Sequence, residues 1–229
     1  MLNKNTRDIL QAVNNMTNSM IISYPVTTFT NDKKTILGNI NFEDIDEGWN
    51  EFGIMDLNSF LNSLNILEDP TITQKDVFIK ADDSNSSIEF VTSYPSILED
   101  FTTNPDIISR TVAADSILEV EIDSDLFSKI KKGSSVFKSL LDLFIIKEGD
   151  KIYLKTGNKE SYTRTQNSYT FYLDPSIDKG EDFEIVIPIE NFLSLPAMKF
   201  IMMVKMNQQT GEKRLVFVND IFEILLTAK

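Results

Sequence analysis

Hydrophobic and polar positions along this chain follow two rhythms, one of helical and one of strand period, and the same order of elements occurs twice. Ile9, Leu10 and Val13 stand at i, i+1, i+4 spacing among polar neighbours, which predicts a helix over residues 6–16 capped by Asn5 or Thr6. Leu126, Phe127 and Ile130 repeat that spacing behind Asp123 or Ser124, predicting an equivalent helix in the second half. Further along each half, Ile54-Met55-Asp56-Leu57-Asn58-Ser59-Phe60-Leu61 and Val186-Ile187-Pro188-Ile189-Glu190-Asn191-Phe192-Leu193 run from a strand-like into a helix-like stretch. Leu57/Ile189, Phe60/Phe192 and Leu61/Leu193 fall in register, and Asp56 is placed to cap the first of these helices.

Between the helices, apolar stretches of strand length predict strands at 20–29, 35–40, 50–55, 76–81 and 87–92, with 82–86 as a hairpin turn. In the second half they predict strands at 117–122, 139–146, 151–156, 167–173, 184–187, 199–206, 214–218 and 221–227, with a helix at 189–195. Gly133 is expected to end the helix that Leu126 opens. Residues 94–115, with Pro95 and Pro105, break the rhythm and read as an extended connector too apolar to be a free linker. The expected class is α+β. Two similar domains, 1–94 and 116–229, each pack two helices on antiparallel sheet and are joined by a connector at 95–115.

Composition narrows the chemistry. A hydrophobic fraction of 41% and 16 Phe in 229 residues are enough for two cores. The longest apolar run, around 200–204, is strand-sized, and Met1-Leu2-Asn3-Lys4-Asn5 has no signal core, so neither a membrane span nor export is expected. The absence of Cys and His excludes disulfides and thiolate sites and removes the commonest general base and zinc ligand. The carboxylate groups Asp44/Asp46/Glu47 and Asp174/Asp178/Glu181/Asp182 lack the Gly-punctuated spacing of a calcium loop. With 8 Gly there is no Gly-rich phosphate loop. A non-catalytic protein without metal or cofactor is the expectation.

The formal charge of -13 argues against nucleic acid when taken as an average. Its distribution changes the picture. Glu43, Asp44, Asp46, Glu47 and Glu51 form an acidic block, whereas Lys129, Lys131, Lys132 and Lys138 form the densest basic one. Such asymmetry can repel DNA from one surface and admit it at another. The plainer meaning of a charge run is a solvated helix face.

The run from Ile54 to Leu61, followed by Ser87-Ile88-Glu89-Phe90, resembles the first domain of T-even-type bacteriophage sliding clamps. Asp125-Leu126-Phe127 with its basic turn, then Ile146-Lys147-Glu148-Gly149-Asp150-Lys151-Ile152, resembles the second. The resemblance implies the DNA clamp fold and a head-to-tail homotrimer. Such a ring encircles duplex DNA without sequence preference and tethers the viral replicative DNA polymerase as its processivity factor. It further implies a clamp-loader ATPase and the late transcription machinery as partners, in the cytoplasm of an infected bacterial host, and no catalytic residue or cofactor. It turns Lys4, Arg7, Lys129, Lys131, Lys132 and Lys138 toward DNA. It places a partner-peptide pocket at Tyr94, Ile97, Leu98, Phe101 and Ile108, with Leu225 beneath. Closing the ring needs free strand edges, for which 76–81 and 169–173 are candidates. The alternative is an acidic scaffold of the same fold that binds proteins without enclosing DNA. A hydrolase using paired carboxylates is the enzyme reading.

Overall fold

The computed structural model describes residues 4–42, 49–136, 140–158, 168–207 and 210–229. Contacts divide the chain into unit 1, Met1–Pro105, and unit 2, Asp106–Lys229.

Unit 1 begins with α1 (Lys4–Val13), which buries Thr6, Ile9, Leu10 and Val13, the stripe anticipated from their spacing. The strand expected at 20–29 is two strands, β1 (Met20–Ile22) and β2 (Val26–Thr30). Pro25 lies between them, where a residue without an N–H cannot extend a ladder. β2 pairs antiparallel with β3 (Ile36–Asn41), and β1 with β4 (Phe52–Ile54). Helix α2 (Leu57–Leu64) follows, with Asp56 as its cap: Ser59 donates its N–H to Oδ1 at 2.8 Å and its hydroxyl to Oδ2 at 2.6 Å. Those two bonds hold the Asp56 carboxyl below its ordinary range. Leu57, Phe60, Leu61 and Leu64 are buried, and Phe60 meets Phe90 edge-on at 5.0 Å.

A three-stranded antiparallel sheet closes the unit: β5 (Thr71–Gln74), β6 (Phe78–Asp82) and β7 (Ser87–Val91). The short, half-exposed β5 was not expected. The 82–86 turn is held by Asp83, whose Oδ1 accepts from the backbone of Asn85 at 2.8 Å and Ser86 at 2.6 Å. Because β6 is the central strand, the proposed free edge at 76–81 is incorrect; β5 and β7 are the outer strands of this sheet.

The connector is also not extended. Two 3-10 turns, Pro95–Ile97 and Glu99–Phe101, precede α3 (Pro105–Ala113). Proline fits the first turn of a helix, where its missing N–H would be unpaired anyway, and Asp106 adds a favourable first-turn charge.

Unit 2 continues with β8 (Ser116–Ile122), α4 (Ser124–Val136), β9 (Asp142–Glu148), β10 (Lys151–Gly157), β11 (Thr170–Leu173), β12 (Pro175–Asp178), β13 (Phe183–Pro188) and α5 (Ile189–Ser194). It ends with β14 (Phe200–Met206), β15 (Lys213–Val218) and β16 (Phe222–Leu226). Two antiparallel sheets result, ordered β11-β10-β9-β13 and β12-β8-β14-β15-β16. Their core is aromatic. Phe127 stacks on Phe192 at 4.8 Å and meets Phe200 at 5.9 Å, and Phe200 meets Phe217 at 6.1 Å.

From α1 in unit 1 and from α4 in unit 2, the order is a helix, strands, a second helix and a three-stranded meander. β9 pairs with both β10 and β13 along its length, the role that β1 and β2 divide between them in unit 1. Gly133 does not end α4, which continues to Val136. A Cβ there would stand 2.3 Å from the Tyr169 ring, so the glycine permits close approach of β11's aromatics rather than a helix stop.

Candidate nucleic-acid interface and partner site

Helix α4 is positioned by Asp123, whose Oδ1 accepts the Leu126 N–H at 2.7 Å, and by burial of Phe127, Ile130 and Ser134. That register leaves Lys129 and Lys132 exposed. Lys131 is different. It is half-buried, donates to the carbonyl of Leu195 at the end of α5, and lies 5.5 Å from the Phe127 ring centroid. Burial holds its ammonium below the ordinary Lys value. A cation at the C-terminal carbonyls of a helix is favourably placed, so Lys131 ties α4 to α5 and is occupied within the fold. Lys138 lies outside the described residues. In unit 1, Lys4 is exposed, while Arg7 is half-buried with its Nε buried and without a hydrogen-bond partner.

The helix pair of unit 1 carries amides that a pattern of charges does not reveal. Leu57 donates its N–H to Asn18 at 2.8 Å, and Asn14 Nδ2 donates to Asn58 Oδ1 at 3.3 Å, tying α2 to the segment that follows α1. Gln11, Asn15, Asn58, Asn62 and Asn65 are exposed. Their signal is the recurrence of Asn at i, i+4 and i+7 from Asn58, with Asn58 and Asn62 on α2 and Asn65 as its C-cap.

The predicted partner-pocket residues divide by exposure. In unit 1, Tyr94 and Ile97 are 67% and 60% exposed, Phe101 is half-buried, and Leu98 is buried. Leu98 sits against Gly53, where a Cβ would approach it to 2.7 Å, and Gly53 and Ser93 exchange backbone hydrogen bonds of 3.0 and 2.9 Å. These contacts fix the root of the connector on β4. Tyr94 also lines a cleft of about 160 Å³ with Phe52, Gln74, Val77, Ser93 and Pro95. In unit 2, Ile108 and Leu225 are buried. Side chains available to a ligand are thus Tyr94, Ile97 and part of Phe101, while Leu98, Ile108 and Leu225 serve the cores. Helix α3 is held in unit 2 by Lys205, which donates to Ala114 at 2.7 Å, and by Arg214, which donates to Thr111 at 3.4 Å. Burial lowers the Lys205 ammonium below its ordinary value.

The acidic group around Asp178 is taken up by the protein's own donors. The buried Lys147 ammonium donates to Asp178 Oδ2 and to the Gly149 carbonyl, both at 2.7 Å, and Gly149 donates to Asp182 at 2.8 Å. Lys147 also holds the Asp178 carboxyl below its ordinary range. Among the described residues, no group of three His, Cys, Asp or Glu could hold a metal ion; Asp44, Asp46 and Glu47 lie outside them. No helix of the described residues is long and apolar enough to cross a membrane.

This architecture, α+β with helices on antiparallel sheets in two like units, is the DNA clamp fold. Proliferating cellular nuclear antigen from Entamoeba histolytica matches with a TM-score of 0.68 at 12% identity, over 97% of this chain and 94% of that one. That of A. fulgidus, solved with the C-terminal region of FEN-1 bound, matches with a TM-score of 0.65 at 10% identity, over 97% and 94%. The Helicobacter pylori beta clamp bound to a DNA ligase peptide matches with a TM-score of 0.62 at 13% identity, over 98% of this chain and 64% of its own. At these identities the likeness is one of fold. No protein-family model matches the sequence, and no curated protein does.

Proposed function

We propose that this chain is the protomer of a sliding clamp, a homotrimeric ring that encircles duplex DNA and tethers a replicative polymerase as its processivity factor. The observation that carries this reading is the clamp fold over 97% of the chain, matched along 94% of the Entamoeba histolytica protein. Exposed Lys129 and Lys132 on one helix of a chain of charge -13 support it, because long cations meet phosphates without reading bases. β11 stands at the outer edge of its sheet and β7 at the outer edge of another, as head-to-tail joints require. Exposed Tyr94 and Ile97 at the root of the connector are offered as anchors for short partner peptides. Two fold neighbours are solved with such ligands, the C-terminal region of FEN-1 and a DNA ligase peptide.

The resemblance of the 54–61 and 146–152 segments to T-even-type clamps extends the reading to a phage replisome in an infected bacterium, with a clamp-loader ATPase and the late transcription machinery as further partners. The competing reading is an acidic scaffold that binds proteins without enclosing DNA. Light scattering at micromolar concentration separates them: a particle of three times 26.1 kDa is expected, and a stable 26.1 kDa monomer would overturn the ring.

A further inference from the structure

On β14 and β15 the alternation expected of a sheet with one wet face fails. The outward positions of β8 include Glu119 and Glu121, but their partners on β14 are Met203 and Ile201, and the next on β15 are Val216 and Val218. Lys205, Arg214 and Glu223 share this face and bond to Ala114, Thr111 and Ser109, so α3 lies across part of it, where Val216 and Leu225 are buried. Ile201, 38% exposed, and Val218 instead line an open cleft of about 540 Å³ with Met198, Asp220 and Ile221.

The cleft is formed before any ligand arrives. Asn219 Oδ1 accepts the N–H groups of Ile221 and Phe222 at 2.9 and 2.8 Å, and its Nδ2 donates to the Lys199 carbonyl at 3.1 Å. These bonds pin the turn between β15 and β16 against the start of β14, and a wall so held costs a ligand little ordering. The rim sets the sign of the partner. Glu121 and Glu223 flank the Ile201–Val218 pair in register, one on each side, and Asp220 is exposed in the turn. The cation at this rim, Lys199, is held by Glu121 at 2.8 Å. An apolar floor selects an apolar side chain, and an acidic rim selects basic neighbours and repels phosphates.

We propose that this cleft docks a basic peptide segment of a partner protein, seating an aliphatic side chain on Ile201 and Val218 between Lys or Arg residues that meet Glu121, Asp220 and Glu223. The site lies within unit 2 and does not depend on ring closure.

The test is fluorescence anisotropy of the full-length protein with three labelled hexapeptides at low salt. Lys-Lys-Ile-Leu-Lys-Lys is expected to bind saturably, one per chain. Lys-Lys-Ser-Ser-Lys-Lys should bind at least 10-fold more weakly, for want of the buried side chain. Glu-Glu-Ile-Leu-Glu-Glu should not bind. Ile201→Thr, which keeps a β-branched residue in the strand, should weaken the first peptide about 3- to 10-fold. Asp220→Lys, in an exposed turn that the fold does not depend on for packing, should weaken it about 3-fold, so the proposal remains testable if the strand variant misfolds. Equal binding of the serine peptide, or of the acidic one, overturns the proposal, as does wild-type affinity in both variants. Self-association that Ile201→Thr abolishes would make the occupant a second copy and overturn it too. None of these outcomes touches the ring, which is read from particle mass.

Discussion

In unit 1, α2 is tied to the segment that follows α1 by a backbone hydrogen bond from Leu57 to Asn18 and an amide pair, Asn14 with Asn58. In unit 2, the corresponding α4 and α5 are joined by the stacked rings of Phe127 and Phe192 and by Lys131 reaching the Leu195 carbonyl. The backbone plan is shared, but the chemistry at the helix seam is not. Unit 2 packs more aromatic mass beneath its helices and uses the middle lysine of its basic run for structure, leaving Lys129 and Lys132 as the exposed cations of α4. The unit 1 helix pair presents exposed amides beside the exposed Lys4 and Asp8 of α1. The repeat therefore conserves a scaffold while each helix pair offers a different surface.

The contrast is most easily broken in the cores. Phe127→Ala and Phe60→Ala should each cost about 3–5 kcal/mol in chemical denaturation. Phe127 should be the costlier, since it meets two rings and Phe60 has Phe90. Equal losses would mean the aromatic seam gives unit 2 no extra cohesion. Gly133→Ala should cost about 1–3 kcal/mol by driving a Cβ into Tyr169, or shift the β11 aromatics by an amount visible in near-ultraviolet circular dichroism. A neutral result would show that β11 yields freely.

Lys131→Met sharpens the division of labour among the lysines. Stability at neutral pH should change by only about 1 kcal/mol, because a lost hydrogen bond is offset by relief of a half-buried charge. The salt slope of DNA binding should not change, whereas Lys129→Met should lower the slope and leave stability alone. Because burial lowers the folded-state pKa of Lys131, its neutral amine is favoured in the fold, a gain in stability that is full above about pH 10.5 and lost as pH falls through the lowered value. The methionine variant should lack that alkaline gain. The smallest effect is at acid pH. Asp56 and Asp178 both lie below the ordinary 3.8, so each stabilises the fold above about pH 4 and loses that contribution as pH falls through its lowered value. Asp56→Asn should flatten the acid limb for unit 1 and Asp178→Asn for unit 2; an unchanged acid limb in either variant would remove that carboxylate from the account.

What was legible in the sequence was what short-range spacing encodes. The buried stripes of α1 and α4, the Asp56 cap and the Asp83 turn each depend on residues within a few positions of one another. Two caps apart, the repeat was visible in the same way, although Pro188 offers no side-chain cap where Asp56 does. What was missed depends on distant partners. Gly133 reads as a helix stop until Tyr169 is placed against it, and Lys131 reads as a free cation until Leu195, 64 residues away, takes its proton donor. Helix α3 is hidden in the sequence because Pro105 reads equally as a breaker and as a first-turn residue. β5 and β12 are short and largely exposed, so little apolar alternation announces them. In the candidate site, exposed Lys129 and Lys132 followed from the helical register, whereas the burial of Leu98, Ile108 and Leu225 did not follow from apolarity alone.

A ring closed around a duplex is held by topology, and retention on DNA reports that link. The protein assembled on closed circular duplex should stay bound through high-salt gel filtration and be released when the circle is cut once. Equal retention on circular and linear DNA, or loss from both at the same salt, would contradict a ring around the duplex.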